Sequence, residues 1–156
     1  MRKYSNVAVK SETLDAILSA GTRAATAGNL QLYTILVLDD RDSLLKLDKV
    51  LELLFFERSN CPIAVIALAD QYRVRRWLRA HTDCEINNHR PYNYITSIWD
   101  ALIALQNIII AAESLELWTC YLGSGVELDI QEPSGALQFS FLPDSYLSAI
   151  PIRHPT

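Results

Sequence analysis

Two stretches of this chain concentrate residues that could do chemistry. The first is "AATAGNLQLY", Ala24 to Tyr33, where Thr26, Gly28, Asn29 and Gln31 are all small or hydrogen-bonding. They stand between a helical pattern and a buried, partly β-branched run. Such a corner offers short donors and acceptors, and Gly28 lets the backbone turn tightly or approach another group closely. The same letters also make an ordinary helix end and loop, with Gly28 left-handed. The second is "QYRVRRWLRAH", in which Arg73, Arg75, Arg76 and Arg79 alternate with Tyr72 and Trp77. Arginines beside stacking aromatics can hold nucleic acid. Here the arginines spread around a helix instead of lining one face, which fits a solvated surface. His81, Asp83, Cys84 and His89 have ligand chemistry, but their spacing matches no standard zinc pattern. No Ser-His-Asp set and no phosphate-binding glycine loop can be assembled, so no catalytic residue is assigned.

The elements that position these residues follow from periodicity. Leu14, Ile17, Leu18 and Gly21 line one face of a helix that Ser11 can cap, with Glu12 in its first turn. "YTILVL" (Tyr33 to Leu38) reads as a strand, and Leu44, Leu47, Val50, Leu51 and Leu54 make the next helix amphipathic. "PIAVIALA" (Pro62 to Ala69) is a second buried strand, with Pro62 tolerated at its start. The arginine segment, Asp70 to His81, is a polar helix, and Thr82 to Asn93 a loop. A long helix from about Tyr94 to Ser114 is apolar on nearly every face, which predicts burial on all sides. "LWTCYLG" is a third strand, "EPSG" a turn and "SYLSAIPI" a weaker last strand. Continuous apolar strands separated by helices indicate a sheet covered on both faces. A chain this short rarely buries a helix on all sides by itself, so a twofold dimer through that helix is expected.

Bulk properties bound the answer. The 156 residues suggest a single domain, residues 1–156, with a real core. Half the residues are hydrophobic and 21% are charged, as in a globular protein. A formal net charge of −4 argues against general affinity for nucleic acid or anionic membrane. The apolar runs "ALIAL" and "IIIAA", split by Gln106 and Asn107, read as too short for a membrane span. "MRKYSNVAVKSE" lacks the apolar core of a secretion signal. The odd cysteine count (Cys61, Cys84, Cys120) fits a reducing cytoplasm. Cys61 and Cys120 read as small apolar fillers in buried strands.

Taken together, four segments resemble the nitroreductase family of FMN-dependent oxidoreductases. They are "RKY" (Arg2 to Tyr4), "AATAGNLQLY", "CPIAVIALAD" (Cys61 to Asp70) and "DALIALQNIIIAAESLELWTCYLG" (Asp100 to Gly123). They occur in the family's order across nearly the whole chain. The resemblance implies an α+β fold of three layers, a mixed β-sheet flanked by helices, with a long central dimer helix. It also implies a homodimer with FMN at the subunit interface. NAD(P)H would reduce the flavin, and nitro compounds, quinones or similar acceptors would reoxidise it by ping-pong hydride transfer.

On this resemblance, the cofactor-binding candidates are Arg2, Thr26, Asn29, Gln31, Gly123 and Gly125, with no metal. Arg2 suits a flavin phosphate or a ring carbonyl oxygen. Thr26, Asn29 and Gln31 would meet the hydrogen-bonding rim of the ring. Gly123 and Gly125 would bring backbone N–H groups of "TCYLGSG" near the flavin N5. One of the arginines after Asp70 could reach a phosphate of NAD(P)H. Thr82 to Asn93 would be a substrate lid. The sequence departs from the family pattern in several places. The "RRS" grip that precedes "RKY" is missing, Glu116 and Trp118 replace two family glycines, Arg153 replaces the glycine of a G-x-P, and the chain stops at Thr156. The chain thus reads as a member shortened at both ends. The alternative reading is a non-enzymatic homodimer that binds flavin weakly or not at all.

Overall fold

The computed structural model describes residues 7–50, 54–83, 91–122 and 147–153. Five helices are among them: α1 (Ser11–Thr22), α2 (Arg41–Val50), α3 (Phe55–Ser59), α4 (Tyr72–His81) and α5 (Pro91–Ser114). Four strands, β1 (Tyr33–Leu38), β2 (Ile63–Ala69), β3 (Trp118–Thr119) and β4 (Leu147–Arg153), form one sheet in the order β1-β2-β4-β3. All three described pairings are antiparallel, so the parallel component expected of a mixed sheet is not among them.

The pleat sorts side chains into two cores. Tyr33, Ile63, Val65, Ala67 and Ile152 point to one face and pack with Ile17 of α1 and Ala101, Ala104, Leu105, Ile108 and Ala112 of α5. Leu38, Ala64 and Ile66 point the other way, onto Leu44 and Leu47 of α2 and onto Phe56. Both faces are therefore covered, giving helices, sheet and helices in three layers. That arrangement explains why β2 reads as a continuous apolar run and not as an alternating one.

Helix α1 crosses α5 closely. A methyl on Gly21 would sit 2.5 Å from Ile108 Cγ1, and Asn107 Nδ2 donates to the Ala20 carbonyl at 3.3 Å. Only one face of α5 is buried, through Ser97, Asp100, Ala101, Ala104, Leu105, Ile108 and Ala112. The expectation of burial on all sides is thus not met within one protomer. Tyr92, Ile95, Trp99, Ile103 and Ile110 remain exposed on its other side. By length and mean hydropathy (1.6) α5 meets the requirement for a membrane span, which the split apolar runs had concealed. Half of that window is buried in the protein.

Several boundaries differ from the sequence reading. Ser11 is the first residue of α1, not its cap; Lys10 holds the cap position without a side-chain bond. Helix α5 starts at Pro91, since proline fits the first helical turn, where an N–H has no partner anyway. Strand β3 is only two residues long. Its register pairs Trp118 with Arg153 and Thr119 with Ile152, and the next position would meet Pro151, which has no N–H to give. Cys120, just beyond, is exposed, whereas Cys61 is buried.

Helix α5 ends in a left-handed turn at Glu116 (φ 61°). The Leu117 N–H reaches the Ala112 carbonyl at 2.9 Å and the Glu116 N–H reaches that of Glu113 at 3.1 Å. This is the Schellman arrangement, closed by burial of Ala112 and Leu117. Glutamate occupies the position where glycine is cheapest, and the backbone geometry is retained.

Candidate active site

The loop between α1 and β1 is tightly constrained. It makes a short 3-10 turn at Ala27–Asn29, and three of its residues are left-handed: Gly28 (φ 57°), Asn29 (φ 55°) and Gln31 (φ 50°). Glycine adopts this region freely. For a side-chain-bearing residue such as Gln31 it costs roughly 1 kcal/mol or more. Something must hold it there.

Asp100 of α5 holds it from below. The carboxylate is only 2% exposed. It accepts the Ala27 N–H on Oδ1 at 3.1 Å and the Leu32 N–H on Oδ2 at 3.3 Å, so it pins both ends of the turn. From the other side, Arg73 of α4 donates through Nη2 to the Gln31 carbonyl at 2.6 Å and to the Tyr33 carbonyl at 3.3 Å. Asp70 completes the frame. Its N–H meets the Leu32 carbonyl at 2.9 Å, Oδ2 accepts the Thr34 hydroxyl at 2.6 Å, and Oδ1 accepts the Arg73 N–H at 3.2 Å. Within the loop, Thr26 Oγ1 accepts the Gln31 N–H at 3.3 Å. Buried under this frame, the Tyr33 phenol is pushed above its ordinary pKa. Desolvation is the main cause and the Asp100 charge adds to it, while Arg73 pulls the other way.

The structure therefore brings Thr26, Asn29 and Gln31 onto one small turn. Thr26 is half-buried and bonded within the loop, and Asn29, Leu30 and Gln31 are exposed. Arg2, Gly123 and Gly125 lie outside the described residues. So do Cys84, His89 and most of the expected lid. Two residues do the positioning: Asp100, to which the sequence reading gave no role, and Arg73, which it named only among the arginines of the polar helix. Asp100 had a visible signal: it is an acid inside an apolar helix, and a buried carboxylate needs donors.

Residues 1–132 match the nitroreductase family. The chain belongs to that family. It is 26% identical over 160 residues to the FMN reductase (NADPH) of Bacillus subtilis (strain 168), covering 99% of this chain and 61% of that protein. Among solved structures, B. megaterium NfrA2 superposes with a TM-score of 0.83 at 26% identity, over 100% of this chain and 62% of that one. YcnD of Bacillus subtilis gives 0.83 at 27% identity, again over 100% and 62%. The fold is thus nitroreductase-like and α+β, and the chain spans about three fifths of the length of these relatives.

The exposed loop residues suit FMN. An isoalloxazine ring has an apolar face and a rim of donors and acceptors. Leu30 offers an apolar surface, and the amides of Asn29 and Gln31 offer groups of both kinds.

Proposed function

We propose that this chain binds FMN at the Thr26–Leu32 loop and serves as an NAD(P)H-dependent oxidoreductase, working as a homodimer. Asn29 and Gln31 would hydrogen-bond the ring, with Thr26, Arg2, Gly123 and Gly125 as further cofactor-binding residues. When bound, the flavin supplies the two-electron chemistry, accepting a hydride from the reduced nicotinamide and passing it to nitro compounds, quinones or similar acceptors. The protein's own part is to fix the loop. Asp100 and Arg73 hold it from opposite sides, so its polar groups are already placed before any ligand arrives. That strained, doubly anchored turn is the observation that carries the reading, because left-handed side-chain-bearing residues persist only where their surroundings enforce them.

The outward face of α5 supports the dimer. Ile95, Trp99, Ile103 and Ile110 form an apolar surface on the helix that also carries Asp100. A twofold partner covering it would bring a second chain close to the loop. Neither Cys61 nor Cys120 is joined in a disulfide, which suits a cytoplasmic setting.

Adding FMN to the purified protein, removing the excess by gel filtration and recording the visible spectrum tests this directly. A yellow protein eluting as a dimer, bleached by NADPH and recoloured by a quinone, is expected. A colourless dimer would leave the architecture and remove the enzyme, which is the non-enzymatic reading.

A further inference from the structure

Helix α4 carries more positive charge than its structural role requires. Between Gln71 and Thr82 the sequence has four arginines and one histidine and no acid, in a chain of net charge −4. The inward side of the helix is Val74, with Arg75 turned to the Gln71 side chain. Tyr72, Arg73, Arg76, Trp77, Arg79 and Ala80 are exposed, spread over the outward half of the helix. Among the described residues, the guanidinium groups of Arg76 and Arg79 have no partner.

Trp77 is the second element. It is 56% exposed, an unusual placement for a large aromatic residue on a charged helix. Its indole stacks on His81, one turn later, with centroids 5.0 Å apart and 19° between planes. His81 is itself fixed, its Nδ1 lying 2.8 Å from the Trp77 carbonyl; a carbonyl can only accept, so Nδ1 carries the proton. The histidine therefore braces one face of the indole. More than half of the Trp77 surface remains exposed beside this stack, and Arg73 stands one turn earlier on the same helix. Arg73 is immobilised in turn by the Gln31 and Tyr33 carbonyls of the loop. A braced indole, a fixed guanidinium one turn away and two unpaired guanidinium groups form a surface for a flat, electron-poor ring joined to phosphates.

We infer that this face of α4 takes the adenosine-phosphate end of the reduced dinucleotide. Adenine stacks on the exposed surface of Trp77, and Arg73, Arg76 and Arg79 meet the phosphates. This rests on the oxidoreductase reading for the identity of the ligand. Arg73 supports it: it reaches the Gln31 carbonyl of the proposed flavin loop from one turn before Trp77, so a dinucleotide with its adenine on Trp77 and its other end toward Gln31 passes Arg73 with its bridging phosphates, leaving Arg76 and Arg79 for a phosphate on the adenosine ribose.

Titration of the full chain with ADP and with 2′,5′-ADP tests the site without using the flavin. Binding should weaken about tenfold in Trp77→Ala, as expected for the loss of one base stack. Binding of 2′,5′-ADP should weaken at least as much in the variant carrying both Arg76→Ala and Arg79→Ala. In turnover with FMN, Trp77→Ala should raise KM for NADPH while leaving KM for reduced nicotinamide mononucleotide, which lacks the adenosine half, unchanged. A yellow protein whose 2′,5′-ADP binding ignores both sets of changes overturns the inference and leaves the flavin reading standing. Colourless protein that still loses ADP binding in Trp77→Ala does the reverse. Tighter binding of a single-stranded oligonucleotide than of ADP, abolished by Trp77→Ala, would overturn it in favour of nucleic acid.

Discussion

Asp100 is the residue whose alteration separates a held loop from a loop that holds itself. Its two acceptor bonds, 3.1 and 3.3 Å, are longer than ideal, so each belongs at the low end for a charged acceptor. At about 1.5 kcal/mol each, Asp100→Ala should cost about 3 kcal/mol. The Ala27 half can be partly recovered by rehydration, because that bond is only partly buried, whereas the Leu32 bond is buried, so about 3 kcal/mol is the upper end. Asp100→Asn keeps one acceptor but turns an amide donor toward the other N–H, so a loss of about 2 kcal/mol is expected. Neither loss exceeds a typical total stability of about 5–15 kcal/mol, so both variants should fold. Urea unfolding gives the stability change, and FMN retained through gel filtration reports the loop itself. Retention should fall in both variants, because Gln31 is freed from its left-handed conformation. Asp100→Asn within about 0.5 kcal/mol of wild type, with full flavin retention, would refute the argument; surface changes routinely fall inside that range.

Other expectations follow from single contacts. Glu116→Gly should raise stability by about 0.5–1 kcal/mol in urea unfolding, since the left-handed cap of α5 would lose its strained side chain. Gly21→Ala should destabilise, because overpacking against Ile108 at about 1–3 kcal/mol outweighs the roughly 1 kcal/mol that alanine gains in a helix. In an Ile108→Ala background the same change should become stabilising, which a double-mutant cycle would detect. Folding keeps the Tyr33 phenol neutral above its ordinary pKa of 10.0, so the unfolded chain ionises first. Stability should therefore decline as pH rises past that value, and Tyr33→Phe should flatten part of the decline in urea midpoints measured across the alkaline range. The Tyr121 phenol, raised by partial desolvation, adds to the same decline.

The sequence was most legible where side-chain letters carry the physics. The bounds of β1, Tyr33 to Leu38, could be read directly, since a β-branched apolar run follows a turn of glycine and amides. Thr26, Asn29 and Gln31 could be placed together for the same reason. Asp100 and Arg73 escaped assignment because their partners are the backbone groups of residues 27, 31, 32 and 33, and a backbone N–H or carbonyl has no letter of its own. The length of β3 was misread because its limit is set by Pro151, over thirty positions later. The outward face of α5 looked like core because composition alone cannot tell a neighbouring helix from a neighbouring molecule.

Strand β4 sits between β2 and β3, although β2 and β3 both precede it in the chain. Ile63 pairs with Ile152, and Trp118 with Arg153. During translation, β2 must wait with one edge open until the segment around Leu147–Arg153 has left the ribosome. Pairing across so many residues is slow, and an open apolar edge is a template for the wrong partner. The nascent chain is thus vulnerable to misassembly until β4 emerges, and a chaperone that shields β2 in that interval would raise the yield of folded protein.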